Sequence, residues 1–273
     1  MLDILSFLAA PFAACLVLVG ILGYFGIHVL RRQVIFVDLA LAQIVALGVI
    51  SSFLFGHEPG SAGSFAYALG AAVIGAAVFS WSRMRRERVP QEAVIGITYV
   101  IASAATILAA DRVPEHAEHV KELMSGAILW VTWGTVLRDL AVCAAVGLLH
   151  LALRRRFVLI TENPEAAFAE GLRVRWWDFL FYLSFGLVIT VAVEIAGVLM
   201  VFAYLVAPAI IAIAMSDRWP RRLAIAWALG VLASASGLLA SYFWDLPSGP
   251  AIVCSLGALL LVYAAVSRWL PRG

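Results

Sequence analysis

The chain carries little charge. Asp, Glu, Lys and Arg make up 13% of its 273 residues and hydrophobic types 64%, whereas an ordinary soluble domain has about 25% and about 45–50%. A water-soluble globule of this length needs more polar surface than that composition supplies. A disordered chain would need far less apolar content. Cysteine is scarce: Cys15, Cys143 and Cys254 each lie inside an apolar run, which excludes a disulfide framework. Lysine occurs once, as Lys121 between Val120 and Glu122, so the Gly-Lys-Ser/Thr of a phosphate-cradling P-loop is missing. HExxH and GxSxG are missing too, and no nucleophile–base constellation suggests a hydrolase.

What the sequence has in quantity is long apolar runs. Crossing a bilayer takes about 20 apolar residues, and such runs must be helices because lipid satisfies no backbone group. Spans are expected near 5–29, 34–55, 65–82, 93–111, 134–153, 177–195, 198–216, 222–243 and 249–269. The run from Trp177 to Met215 is too long for one span, and a tight turn is placed at Glu194-Ile195-Ala196-Gly197. The fold class is therefore an all-α transmembrane bundle of eight to nine spans, forming a single domain over 1–273. The first run lacks a basic leader and is longer than a signal core, so it reads as a span. Tryptophans 81, 130, 133, 176, 177, 219, 244 and 269 fall at span ends, as in an interfacial belt.

The basic residues are distributed unevenly. Of 19 Lys and Arg, 16 fall in alternate gaps, leaving Arg112, Lys121 and Arg138 for the others. The positive-inside rule then makes the arginine-rich gaps cytoplasmic, with the C-terminus inside. No gap is long enough for a soluble domain, so function has to reside in the membrane or in short loops.

Few residues there can carry chemistry. Asp38 lies early in the second span. A carboxylate in a span is costly and faces a cavity or a partner, so it reads either as a polar point on a substrate path or as an interfacial group paired with Arg31 or Arg32, or with another helix. Gln43 follows five residues on, about 140° around an ideal helix, so the two do not share a narrow stripe. Glu194, at the break in the long run, reads either as a gate or cation contact at the outer mouth or as a solvated turn residue, the second being favoured. His116 and His119, with Glu115 and Glu118, have the spacing for a metal on one helical face, though a plain polar loop is the simpler account. His28 and His150 read as packed. In the arginine-rich gap, residues 163–172 form a short helix with stops: Asn163 as N-cap, Pro164 at the first helical position, Gly171 after the end, and Glu165 complementing the dipole. Such a capped helix on the cytoplasmic surface reads as a docking element or as a plain interfacial helix. Gly20, Gly23 and Gly26 suit close helix packing, and Pro208 implies a kink.

Four stretches, taken in order, resemble a known family. They are Arg31-Arg32 through Phe36 and Asp38 to Ala42; Ala93-Val94-Ile95-Gly96-Ile97; Leu123-Met124-Ser125-Gly126-Ala127-Ile128-Leu129; and Asn163-Pro164-Glu165 through Gly171-Leu172 to Gly197-Val198-Leu199 and Val206-Ala207-Pro208-Ala209. Together they are similar to the permease subunits of metal-type ABC importers, the ABC-3 group of zinc, manganese and iron uptake. The resemblance implies a type II ABC importer-like fold and a bacterial cytoplasmic (inner) membrane location. It implies two copies around a central pathway in the lipid bilayer, and two ABC ATPase subunits docked on 163–172 through Glu165, Ala166, Glu170 and Gly171. It also implies an extracytoplasmic binding protein delivering the cargo. The chain itself would bind no permanent cofactor and no nucleic acid and would not be an enzyme, since the partner ATPase uses the ATP. Asp38 matches the family's pathway aspartate and so becomes a metal-contact residue. Two departures stand out: Val37 replaces a glycine, and Ala42 stands where the family has a histidine one turn after the aspartate. With that pair incomplete, direct coordination of a zinc-like ion is not implied at this level, and another metal, a chelate or a different cargo altogether stays open. An ion-coupled secondary transporter using Asp38 or Glu194 is the competing reading.

Overall fold

The structure, a computed structural model, describes residues 2–83, 89–113, 126 and 128–267. Among them there is no strand. The helices are α1 (Leu2–Arg31), α2 (Val37–Leu54), α3 (Ala62–Ser82), α4 (Gln91–Ala110), α5 (Trp133–Ala152), α6 (Arg154–Glu162), α7 (Pro164–Ala169), α8 (Val174–Met215), α9 (Trp219–Trp244) and α10 (Ser248–Ser267), with a 3-10 turn at Ile128–Trp130 before α5. Eight of the described helices are long and apolar enough to cross a membrane. Large apolar side chains such as Ile107, Leu108, Leu148 and Leu261 are exposed, as lipid-facing positions are. The chain is an integral membrane protein.

The expected turn at 194–197 narrows to one residue. α8 runs 42 residues, and only Gly197, at φ 72 and ψ 161, leaves helical backbone. A continuous helix of that length would be ~63 Å long, twice the bilayer core. Pro208 lies inside the helix, and the backbone break is at Gly197 instead.

The chain forms two compact units. One comprises Met1–Leu30, Ser125–Cys143 and Ile195–Gly273; the other comprises Arg31–Met124 and Ala144–Glu194. In the first, α1, α9, α10 and the end of α8 pack through small residues. A side chain added at Gly230 would meet Val19 at 2.6 Å, and one at Gly237 would meet Ile252 at 2.6 Å. Polar groups there are matched: Trp227 Nε1 donates to the Gly20 carbonyl at 3.0 Å, and the Tyr204 and Ser234 hydroxyls bond at 2.6 Å.

In the second unit α3 runs antiparallel to α2. Gly48 on α2 lies under Ala71 and the Tyr67 carbonyl, while Gly75 lies over Leu41 and Ile44. α4 runs parallel to α2: their first turns are linked by a hydrogen bond from the Phe36 amide to Glu92, and Ile50 and Phe53 cluster with Ala109, Ala110 and Val113 at the other end. This parallel pairing brings two helix N-termini, each carrying an acidic residue, to one level.

Candidate functional site

Asp38 sits in the first turn of α2 and is 1% exposed. The backbone N–H groups of Leu39 and of Asp38 itself act on its carboxylate, while Oδ1 has no hydrogen-bond partner among the described residues. Pairing with Arg31 or Arg32 does not occur. Arg31 binds Glu162, and Arg32 Nη1 binds Asp178 at 2.7 Å. A buried carboxylate with an unmatched oxygen is costly, and part of that cost is offset by its place at a helix N-terminus.

The sequence reading missed Glu92. It occupies the first turn of α4, close enough to Asp38 for an electrostatic interaction. Its Oε1 accepts from the Phe36 amide at 3.0 Å, and its Oε2 is buried without a hydrogen-bond partner. The signal was available: an acidic residue directly before Ala93-Val94-Ile95-Gly96-Ile97, at the start of a span. Two carboxylates, each with one oxygen that has no hydrogen-bond partner among the described residues, thus lie within electrostatic reach of each other, one on α2 and one on α4.

The other candidates do not join them. Gln43 is buried on α2, about 140° around the helix from Asp38. Glu194 is exposed, sixteen residues and so ~24 Å along α8 from Asp178, whose partner Arg32 lies just before α2. His116 and His119 lie outside the described residues. His28 packs between Tyr24 and Trp219, and His150 stacks on Phe157 at 4.2 Å while bonding Ser184 at 2.7 Å. Among the described residues no group of three or more His, Cys, Asp or Glu side chains could hold a metal ion.

The capped segment is shorter than 163–172 but keeps its stops. Asn163 Oδ1 accepts from the Ala166 amide at 2.9 Å, and Pro164 opens α7. At the other end Leu172 N–H bonds the Ala167 carbonyl and Gly171 N–H bonds that of Phe168, both at 3.1 Å, with Gly171 at φ 74. This is a Schellman close, which needs a left-handed residue at Gly171. Glu165, Glu170 and Gly171 are exposed and Ala166 is half-buried, while Ala167 is packed with Ile160 and Val174. Preceding α7 is α6, a helix not anticipated from the sequence, which exposes Arg154, Arg155 and Arg156 and buries Phe157 and Ile160.

Both sides of α7 are anchored at the arginine-rich end. Asp178, fully buried, accepts from Arg32 and from Arg83 Nη1 at 3.0 and 2.9 Å. Arg32 Nε also donates to Thr161 Oγ1 at 2.9 Å, and its guanidinium lies 4.0 Å over the Phe181 ring. Burial lowers the pKa of Arg32, Asp178 opposes that shift and Arg83 adds to it; the group stays protonated.

The family model described as the ABC 3 transport family matches residues 5–267. The chain belongs to the ABC 3 transport family. The chain is 27% identical over 238 residues to the manganese transport system membrane protein MntC of Halalkalibacterium halodurans, covering 87% of this chain and 80% of that one. It is 26% identical over 224 residues to the manganese transport system membrane protein MntB of Synechocystis, covering 82% and 71%. Among solved structures, PsaBC from Streptococcus pneumoniae in complex with Fab matches with a TM-score of 0.81 at 22% identity, over 96% of this chain and 93% of that one. The fold is thus that of an ABC 3 family membrane protein.

Proposed function

We propose that the chain is the membrane-spanning permease subunit of an ABC importer whose cargo is a divalent transition metal ion, Mn2+ above the others. The observation that carries this is the buried Asp38 carboxylate with an unmatched oxygen beside Glu92. Carboxylates suit manganese, whereas zinc and iron sites gain from imidazole, and Ala42 supplies none. The names of the two manganese-transport relatives support the same ion. Two carboxylates fill less than half of an octahedral shell, so the ion keeps water or ligands from a second copy while it passes. Weak, partial binding is what a conduit needs for release.

In this reading two copies form the pathway by alternating access in a bacterial inner membrane, with C-termini cytoplasmic. An extracytoplasmic binding protein delivers the ion, and a partner ATPase docks on α7 and uses the ATP. The caps then hold the docking surface in shape. Gly171→Ala should strain the left-handed position by about 1–2 kcal/mol, and Asn163→Ala should remove a cap worth about 1 kcal/mol. Both variants should insert normally yet recover several-fold less ATPase on co-purification. Wild-type recovery by both would remove α7 as the docking element.

The test of function is ATP hydrolysis by the reconstituted complex with its binding protein, titrated with Mn2+, Fe2+ and Zn2+. Mn2+ should stimulate most and Zn2+ least. A preference for Zn2+ would overturn the oxygen-donor argument. Uptake by the chain alone under an ion gradient, without ATP, would replace the importer with a secondary transporter.

A further inference from the structure

The first three turns of α8 reach both chain segments that lead into the two carboxylates, through Arg32 before α2 and Gln91 on α4. Arg32, six residues before Asp38, is held on one side by Thr161 just before α7 and on the other by Asp178 just after it. One guanidinium therefore binds the chain on both sides of α7. The link from Arg32 to α2 has little slack: Gln33 takes the left-handed φ of 56, and Val37 N–H bonds the Val34 carbonyl at 3.2 Å. One turn after Asp178, the Tyr182 hydroxyl bonds Gln91 Nε2 at 3.2 Å, and Gln91 also donates to the Phe79 carbonyl at 2.9 Å. Gln91 directly precedes Glu92. Tyr182, Asp178 and Arg32 are all shut off from solvent, so water does not compete for these bonds.

We propose that Asp178 and Tyr182 are positioning residues that fix Asp38 and Glu92 relative to α7, so that displacement of α7 moves the two carboxylates through Arg32 and Gln91. This rests on the transport reading above. Arg83, at the end of α3, bonds both oxygens of Asp178 and keeps the joint oriented. Two arginines against one aspartate leave a net positive charge in the cluster. The charge of Asp178 is therefore its indispensable part, and an isosteric amide should release the joint.

The experiment compares Asp178→Asn and Tyr182→Phe with wild type in the assembled complex. Amide hydrogen exchange should rise at least tenfold in Asp178→Asn over residues 31–38 as well as 161–178, and in Tyr182→Phe over residues 89–95. With Mn2+ as probe, stimulated hydrolysis should fall about tenfold in Asp178→Asn and about threefold in Tyr182→Phe. Basal hydrolysis per assembled complex should stay within twofold, which a merely structural role would not leave intact. Exchange confined to residues 174–182, or stimulation kept within twofold, overturns the proposal. A wild-type complex that no metal stimulates overturns the cargo reading instead, and the exchange pattern still decides the joint.

Discussion

Asp38→Asn should lower Mn2+ uptake about 100-fold while leaving the protein at least as stable as wild type. Asparagine keeps the volume and an oxygen that faces the same backbone N–H groups. What it removes is the ionisable oxygen, at a residue 1% exposed with Oδ1 unmatched. Burying a carboxyl group without full pairing costs stability, so its removal should raise the unfolding midpoint. If Asp38 served packing, the variant would instead lose stability and keep transport. The 100-fold figure corresponds to about 2.7 kcal/mol of lost cation attraction. Glu92→Gln should follow with a smaller loss, about tenfold, because the half-buried Glu92 still accepts from the Phe36 amide through a neutral oxygen. Metal uptake in vesicles and thermal unfolding of the same preparations check both. Normal uptake by Asp38→Asn would take Asp38 off the pathway.

The spans were legible because lipid leaves the backbone one choice, and a run such as Gln91–Ala110 has to be a helix. The α7 caps were legible for an equally local reason: Asn163, Pro164 and Gly171 each act on backbone within three residues. The long-range pairings were not. Asp38 lies six and seven residues after two arginines, and the sequence alone leaves an ion pair with them as open as a place on a substrate path. The structure commits the arginines elsewhere, to Glu162 and Asp178, residues 131 and 146 positions away. Asp178 itself sits among tryptophans and phenylalanines at a span start, where an acidic residue reads as interfacial. Glu92 was passed over because the parallel arrangement of α2 and α4, which sets it beside Asp38, is a tertiary fact. The break in α8 was visible as a change in composition, but only the backbone at Gly197 narrows it to one residue.

Gly26→Ala should be the most damaging small substitution on α1, and Gly20→Ala the least. The three glycines at 20, 23 and 26 look alike in sequence, a stripe of small residues three apart. Their surroundings differ. A Cβ at Gly20 meets nothing within 4 Å, one at Gly23 would touch Trp227 Cδ1 at 3.3 Å, and one at Gly26 would overlap the carbonyl oxygen of Leu205 with Ala209 Cβ at 3.1 Å. A ring edge can shift by a few tenths of an ångström. A helix carbonyl cannot, so α1 and the end of α8 would have to separate. Overpacking of this kind costs about 3 kcal/mol, a large share of a net stability of about 5–15 kcal/mol. At Gly20 the same change gains about 1 kcal/mol of helix propensity, and the Trp227 bond survives because it uses the Gly20 carbonyl. In detergent, Gly26→Ala should lower the unfolding midpoint by about 10 °C, Gly23→Ala should change it little, and Gly20→Ala should leave it level or raise it. A Gly26→Ala midpoint within 2 °C of wild type would mean that α1 and α8 are not in contact at this level, and the close packing assigned to that end of the first unit would fall with it.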